Sequence, residues 1–593
     1  MAEALRSVVN KKAPAGASNP NMPATLRTIF WPLIPPLTTA VFMVPILFGL
    51  LGTWLPAFGY LPAIGQSQFS LQPWQALVHY PGFFSALTNT LVTGLIASIL
   101  SLMIALFLLH GAYPSQWFNR IERALSPALS IPHAAFAIGF GFLIAPSGWL
   151  LRLMNGLTGM FPAPPFWTTF QDPVGISLIL VMVLKETPFL LFMALAVLPS
   201  LKVSQTLWLV RSQGHGKAFA WRYLIFPRLY QQIRLPFFAV VAYSLTVVDI
   251  AIIAGPTTPP TLAVLILQRF NDPDLVQRTV GAAGATLLLG IVMIVLIGLS
   301  LLQQAIQRWD YYRLCHIKRP KRHWSITDIS ARVVSVFIGT AYIGTLTITL
   351  LWSITKRWRY PDILPESFGL RAWVRLNDRL AEPFWCTFLL AILSSLLALI
   401  LVILALENEL RLSRLSKRVS LSRIQWLVYL PLLIPQIAFI FGFQIALIHF
   451  GLDAQFITLL WSHLVFVFPY VFLTLSGPYR RFDERYSWQG LTLIGQRWKV
   501  FWRIKLPMLL RPILYTLATG FAVSIAQYLP TLFVGAGKYS TITTEAVAIA
   551  TGSDRRMMAV IALWQQTLPL LAFASATIIP ILLFRHRKAM SHQ

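Results

Sequence analysis

The chain has 593 residues, of which 56% are hydrophobic and only 11% charged. This composition is too apolar for an ordinary soluble protein and indicates an all-α polytopic membrane protein. Its 48 Lys and Arg residues outnumber its 20 Asp and Glu residues, giving a formal net charge of +28. In a membrane protein such an excess first raises the question of which side of the membrane the basic residues occupy. The two cysteines, Cys315 and Cys386, are too few and too far apart for a disulfide framework or a CxxC metal site.

Residues 1–28 are polar and basic and predict a cytoplasmic N-terminal tail. A spanning helix needs about 20 apolar residues, and we predict about twelve transmembrane helices. Six lie in the first half: Ile29–Leu55, Phe84–Leu109, Ala124–Ile144, Val174–Leu198, Leu235–Ala254 and Val280–Leu302. Six lie in the second half: Val333–Ile354, Phe384–Leu406, Leu427–Ile448, Phe456–Ser476, Ile513–Val534 and Met557–Phe584.

These helices form two tandem six-helix repeats, residues 29–303 and 333–584. A basic cytoplasmic linker, 304–332, joins the repeats, and residues 585–593 form a cytoplasmic C-terminal tail. Because each repeat holds an even number of spans, both should have the same orientation and be related by an axis along the membrane normal.

The distribution of basic residues predicts the orientation. If the N-terminus is cytoplasmic, 35 Lys and Arg lie on the cytoplasmic side and 12 on the other, with Lys185 inside a span. This asymmetry predicts that both termini are cytoplasmic. The cations are spread over many loops, which argues against a nucleic-acid surface. One predicted external loop, Lys356–Glu382, holds six Lys and Arg against this trend.

An internal sequence repeat supports the tandem arrangement. The decapeptide IPHAAFAIGF, Ile131–Phe140, recurs as IPQIAFIFGF, Ile434–Phe443. Further along, Pro188 pairs with Pro469 at a smaller offset. The longer external loop Ala145–Pro173 of the first copy accounts for the difference, because insertions belong in loops.

A basic and aromatic strip follows the fourth span of each half. The first reads GHGKAFAWRYLIFP, residues 214–227, and the second GQRWKVFWRIKLP, residues 495–507. Both are typical of an interfacial helix with aromatic rings at the level of the lipid headgroups. The residues that carry the pattern are Gly214, Lys217, Phe219, Trp221, Pro227, Gly495, Trp498, Phe501, Trp502 and Pro507. A surface that merely contacts membrane lipid is the simpler alternative.

The paired strips are similar to the cytoplasmic signature of ABC importer permeases, written E-A-A, three residues, G, nine residues, I-x-L-P. The first copy keeps this spacing from Gly214 to residues 224–227, and the second, from Gly495 to 504–507, is one residue shorter. Both copies lack the E-A-A itself, at 208–210 and 489–491. From residue 29 onward the chain resembles a fused, double-length permease of the kind that serves uptake of ferric iron, thiamine or related solutes.

The resemblance implies the partners. The two strips would be coupling helices that dock on a separate cytoplasmic ABC ATPase, expected to be a homodimer, and an extracytoplasmic solute-binding protein would deliver a small molecule or an ion. The permease would lie in the bacterial inner membrane and bind no cofactor, since ATP is used by the partner. No complete P-loop occurs, the nearest approach being GAGKYS at 535–540. Since no catalytic or metal-binding motif occurs either, we expect a transporter subunit and no enzyme.

Ionisable residues at membrane depth are candidates for the translocation path. Lys185 and Glu186 fall near the centre of the fourth span, beside Pro188, and either line the path or hold helices together. Neighbouring positions of a helix do not face each other, so each of the two should have its own partner.

Other candidates lie at matched places in the two halves. Asp249 and Gln527 fall near the external ends of the fifth spans, and His133 and Gln436 follow the matched prolines of the decapeptides. We include His463, although a single histidine in an apolar span is more typical of a hydrogen-bonded core residue.

A twelve-helix secondary transporter driven by an ion gradient is the main alternative, because it has the same span count and topology. Its usual G-x-x-x-D-R/K-type signature after the second span is absent from residues 110–124. It would also have no need of paired docking loops.

Overall fold

The computed structural model describes residues 24–315, 326–414, 421–552 and 554–584. Most of the predicted N-terminal tail, the centre of the basic linker and the C-terminal tail lie outside these residues. The described chain is almost entirely helical, and its one small sheet is the antiparallel pair β1, Thr355–Arg357, and β2, Ser367–Phe368.

The described part of the first half contains thirteen α-helices. They are α1 Ala24–Ala57, α2 Gln72–Val78, α3 Phe83–Ala112, α4 Gln116–Ser130, α5 His133–Ile144, α6 Trp149–Thr158, α7 Ile176–Val197, α8 Val203–Ser212, α9 Lys217–Phe219, α10 Phe226–Thr246, α11 Asp249–Ala254, α12 Leu262–Phe270 and α13 Gln277–Cys315. Two 3₁₀ turns, Pro62–Ile64 and Leu198–Leu201, and a π-helix, Ala220–Ile225, complete this half.

The second half follows the same order. Its helices are α14 Ile326–Ser353, α15 Arg371–Arg414, α16 Leu421–Leu433, α17 Gln436–His449, α18 Phe456–Arg481, α19 Glu484–Ile494, α20 Arg497–Val500, α21 Leu506–Met508, α22 Leu510–Ile525, α23 Leu529–Gly535, α24 Ile542–Ala550 and α25 Arg555–Leu583. A π-helix, Phe501–Lys505, again precedes the fifth span. The insertion Ala145–Pro173, predicted as a loop, contains α6.

Within the described residues, nine helices are long and apolar enough to cross a membrane, and the number rises to eleven if each of two bent helix pairs is one span. The chain is therefore an all-α polytopic membrane protein, as predicted. Nine is three fewer than the twelve expected spans: the fifth span of the first half is not among the nine, and the third and fifth spans of the second half are the two bent pairs, Leu427–Leu433 with Gln436–His449 and Arg497–Met508 with Leu510–Ile525.

The third spans break at the matched prolines. Ala124–Ile144 is divided into α4 and α5 at Pro132, and Leu427–Ile448 into α16 and α17 at Pro435, where the two helices meet at 98°. Proline has no N–H to donate to the preceding turn and disfavours a helical conformation of the residue before it.

The fifth spans break near their external ends. In the predicted span Leu235–Ala254, α10 ends at Thr246 and α11 begins at Asp249. In Ile513–Val534, α22 and α23 are separated by three residues that include Gln527. Each break therefore carries one of the polar residues singled out in the sequence.

The two halves exchange their first helices. The first helix, α1, packs mainly on α17 of the second half, and α14 packs on α3 and α5 of the first half. The first helix of each half thus packs against helices of the other half, and the two repeats form one membrane domain.

The predicted external loops also join across the halves. Arg152 of α6 is buried, and its guanidinium donates to the carbonyl oxygens of Ser147 at 3.1 Å and Asp362 at 2.8 Å. The ring of Trp358 stacks on it at 5.0 Å. The basic loop Lys356–Glu382 is therefore fastened to α6 by its backbone oxygens.

Candidate functional site

Lys185 and Glu186 lie inside the bundle on α7, and each has its own partner, as expected from their adjacent positions. Lys185 Nζ donates to the carbonyl oxygens of Ala128 at 3.0 Å and Ile131 at 2.6 Å. In a continuous helix the Ala128 carbonyl would accept from residue 132, which is a proline without an N–H. The ammonium therefore satisfies carbonyl groups at the C-terminal end of α4, where a positive charge is favoured.

Glu186 turns to the other side and contacts His133. The distance from Glu186 Oε1 to His133 Nε2 is 3.1 Å. The carboxylate side chain is 6% exposed, whereas the histidine is 30% exposed although it lies within the bundle. His133 also meets Tyr243 edge to face, with ring centroids 5.4 Å apart. The histidine therefore faces an opening between helices.

The second half supplies neutral groups at the matched places. Gln436, the counterpart of His133, donates from Nε2 to Gln527 Oε1 at 3.3 Å. Gln527 and Asp249 are both buried at the breaks of the fifth spans. The sequence-predicted residues His133, Glu186, Gln436 and Gln527 thus form one pair in each half.

Three tyrosines lie near the carboxylates of these places. Tyr243 and Tyr470 are near enough to Glu186, and Tyr243 and Tyr528 to Asp249, to interact with them electrostatically. We call the whole group the central polar cluster: His133, Glu186, Tyr243, Asp249, Gln436, Tyr470, Gln527 and Tyr528. Sequence reasoning missed its three tyrosines. A signal was present, because a tyrosine in an apolar span needs a polar neighbour for its hydroxyl.

His463 lies in the packed core beside the cluster, because Thr531, which it contacts, donates from Oγ1 to the carbonyl oxygen of Gln527 at 3.3 Å. It is buried, and its two ring nitrogens lie 2.9 Å from Ser524 Oγ and 3.0 Å from Thr531 Oγ1. This is the geometry of a hydrogen-bonded core histidine, the more typical alternative named from the sequence.

The two basic aromatic strips form similar structures. Gly214 and Gly495 end the preceding helices with positive φ angles of 81° and 71°, a conformation that favours glycine. A Cβ at either position would meet nothing within 4 Å. Each strip then continues through a π-helix that ends just before Pro227 or Pro507. We call residues 214–227 and 495–507 the first and second coupling segments, after the role expected of them from the sequence.

The aromatic residues of the two segments differ in exposure. Trp498 and Trp502 of the second segment are exposed, at 61% and 48%. Trp221 of the first is fully buried, and its ring lies tilted against that of Phe226, at a centroid distance of 5.1 Å. The expectation that Trp221 lies at the level of the headgroups is therefore wrong, because its ring fills the apolar core beneath the segment.

The predicted residues of the first segment hold it against the bundle. Lys217 Nζ lies 3.3 Å from the carbonyl oxygen of Gly111, at the end of α3. Phe219 stacks on His215 with centroids 4.3 Å apart. In the second segment, Phe501 stacks on Trp498 at 6.2 Å.

One residue of the second segment was overlooked in the sequence. Lys505 is buried, and its Nζ contacts the carboxylates of Glu407 on α15 and Glu484 on α19, the latter at 3.1 Å. In the sequence, Lys505 is one of several basic residues of its loop, and nothing there indicates that it is buried or that it has acidic partners. Among the described residues, no group of three His, Cys, Asp or Glu side chains is placed to hold a metal ion.

No protein-family model matches the chain. It is 32% identical over 510 residues to the inner membrane ABC transporter permease protein YnjC of Escherichia coli K12, and this match covers 86% of the chain and 91% of that protein. The chain belongs to the ABC transporter permease family.

Family membership gives the coarse function. The permease is a multi-pass inner-membrane protein and a membrane subunit of an ABC transporter, which implies a partner ATPase. It is a transporter subunit rather than an enzyme. The relationship decides against the gradient-driven transporter that the span count alone left open.

Proposed function

We propose that this permease forms the translocation path of an importer and couples to its ATPase through the two coupling segments. The observation that carries the proposal is the paired geometry of these segments. In both halves a left-handed glycine, an open surface around it and a π-helix closed by proline occur in the same order. π-helices are rare and occur frequently at functional sites.

The excess of Lys and Arg in these loops supports a cytoplasmic position for both segments and both termini, by the positive-inside rule. In this arrangement the segments face a homodimeric ATPase, one subunit to each half. The solute arrives at the opposite side from an extracytoplasmic binding protein, and ATP is bound and hydrolysed by the partner alone. The exposed apolar side chains of α13 and α15 contact membrane lipid.

The central polar cluster lines the path and favours a positively charged small solute. The cluster holds two carboxylates, Glu186 and Asp249, and one imidazole, that of His133, which contacts Glu186 at 3.1 Å. The ammonium of Lys185 is turned toward the carbonyl groups of α4. The faces of the surrounding tyrosines attract cations as well.

Purification of the tagged permease from its native membrane tests the proposal. We expect two copies of one ABC ATPase per permease, identified by mass spectrometry, and solute uptake by the reconstituted complex that requires ATP and an added binding protein. Uptake by the permease alone, driven by an ion gradient and free of any ATPase, would overturn the proposal.

A further inference from the structure

The two coupling segments are attached to the membrane domain by different chemistry. In the second segment Lys505 Nζ is held by Glu407 and Glu484, and it lies 4.4 Å from the centroid of the Tyr479 ring. The Tyr479 hydroxyl donates to Glu407 Oε1 at 2.5 Å. We call these four residues the ionic tie.

The ionic tie joins the second segment to three helices at once. Glu407 belongs to α15, Tyr479 to α18, and Glu484 is the first residue of α19. A buried ammonium is tolerated only while its partners remain in place, and removal of one partner leaves an uncompensated charge. The second segment therefore cannot move away from α15 without a large electrostatic cost.

At the position that matches Lys505 the first segment has an apolar residue, and its ion pair, Arg222 with Asp310 of α13 at 3.8 Å, is largely exposed. In the signature, Ile225 takes the position of Lys505, two residues before the closing proline, and it is buried in an apolar cluster that also holds Trp221. Leu198, also buried there, matches Tyr479 in the repeat. Apolar contacts are non-directional and allow neighbouring groups to slide, whereas charged hydrogen bonds fix distance and angle.

The helix that receives the ionic tie, α15, is helical from Glu407 to Thr387, and its internal proline, Pro383, lies beyond Thr387. With 44 residues, α15 is about 66 Å long at 1.5 Å per residue. Toward its other end, Thr387 Oγ1 accepts the backbone N–H of Ile542 at 2.9 Å, at the first residue of α24. The first half has the matching bond, from Leu262 N to Thr90 Oγ1 at 2.7 Å, but its segment meets α3 through one hydrogen bond, from Lys217 Nζ to the carbonyl oxygen of Gly111 at 3.3 Å, with no carboxylate in that contact.

From this difference we infer that Lys505 is the residue through which movement of the second coupling segment reaches α24, with α15 as the rigid link. Lys505 acts as a positioning residue, since it holds the segment to Glu407 and contacts no solute. The inference rests on the proposed docking of the ATPase at the coupling segments. Transmission through a rigid element with a defined attachment at each end is the physical basis of such coupling.

The test uses the purified complex of permease, ATPase and binding protein in lipid vesicles, with ATP hydrolysis and solute uptake measured in the same sample. We expect Lys505→Met to retain the ATPase and to lower the uptake per ATP hydrolysed about tenfold, a coupling change of ordinary size. Lys505→Arg, which can bind both carboxylates, should restore the ratio.

Arg480→Met is the matched control. Arg480 forms a two-pronged ion pair with Glu409, at 2.9 Å for each bond, between the same helices α18 and α15 but without contact to the coupling segment. We expect its ratio of uptake to hydrolysis to stay near that of the wild type. An unchanged ratio in Lys505→Met, or an equal fall in Arg480→Met, would overturn the inference.

A second variant covers the case in which Lys505→Met does not assemble. Lys505→Met combined with Glu407→Met removes the strongest pair of charges together, and such neutral replacements commonly preserve stability. This double variant should assemble and be uncoupled; full coupling in it would contradict the inference. If the wild-type permease retained no ATPase, the proposed function itself would fail, which is a separate outcome.

Discussion

The backbone N–H of Gly442 in the second half donates to Thr53 Oγ1 of the first half at 3.1 Å. This bond lies where α17 crosses the first helix, and a Cβ at Gly442 would collide with the backbone of Gly49 and Gly52. Small residues allow membrane helices to approach this closely. The contact is central to the exchange of first helices between the halves.

Replacement of Gly442 should therefore destabilise the permease. We expect Gly442→Ala to lower the free energy of unfolding by about 1–3 kcal/mol, the usual cost of overpacking. Gly290→Ala is the control, because a Cβ there meets nothing within 4 Å and alanine favours helix. Thermal unfolding in detergent measures both; equal melting temperatures would contradict the assigned close packing.

The first glycine of the repeat shows why this contact was invisible in the sequence. Gly139 matches Gly442, and it packs on Thr345 and Thr349 of α14. The decapeptide predicted that the two copies share a structure, and the breaks at Pro132 and Pro435 follow from proline chemistry. The glycine is shared because a helix from the other half packs closely on it. That helix is about 200 residues or more away along the chain, so a pattern within one segment cannot reveal the contact.

For a similar reason, only part of the candidate site could be predicted from the sequence. Separate partners for Lys185 and Glu186 followed from helix geometry, but the choice of carbonyl groups for one and His133 for the other depends on how α4 and α5 break. From the sequence, Lys505 could equally be an exposed cation of a loop, and the structure is needed to show that it contacts Glu407. Charge type can be read from the sequence, whereas burial and partners require the fold.

Lys185 should support structure rather than select the solute. In Lys185→Met the carbonyl oxygens of Ala128 and Ile131 lose their donor, and we expect a loss of about 1–3 kcal/mol of stability for such orphaned groups. The exposed Lys356→Met should change stability by less than about 0.5 kcal/mol. Chemical unfolding monitored by tryptophan fluorescence compares them. A stable Lys185→Met variant with altered solute preference would reverse this assignment.

Asp249 should matter for transport of a cation. We expect Asp249→Asn to reduce uptake of a positively charged solute about tenfold, equal to about 1.4 kcal/mol, while the ATPase still co-purifies. Asp453→Asn, in an exposed loop, should transport normally. Unchanged uptake and unchanged ATP hydrolysis in Asp249→Asn would remove this residue from the path.

The coupling segments should tolerate asparagine structurally but not functionally. Asparagine can adopt the left-handed conformation, so Gly214→Asn with Gly495→Asn should fold. The added side chains project into the open surface that the proposal assigns to the ATPase, and we expect about tenfold less co-purified ATPase. Gly537→Asn is the control, because Gly537 has a φ of 75° and open space but lies on the predicted external side. Normal ATPase recovery with the double variant would argue against docking at these segments.

Asp172 caps the start of α7 and should make stability depend on pH. Its carboxylate accepts hydrogen bonds from Ile176 N at 2.7 Å and Ser177 N at 2.8 Å. Burial opposes the charge, but these hydrogen bonds outweigh it and lower the pKa of Asp172. The contribution of this carboxylate to the stability of the fold is complete above the pKa of an unfolded aspartate, about 3.9, and is lost as the pH falls through the lower pKa of the folded protein.

Asp172→Ala should therefore lower the free energy of unfolding by about 1 kcal/mol at pH 7, as for other helix caps. Melting temperatures recorded from pH 7 to pH 3 should converge with those of the wild type at the acid end, whereas Asp453→Ala should follow the wild type throughout; a constant difference for Asp172→Ala would show that the ionised carboxylate is not the stabilising group.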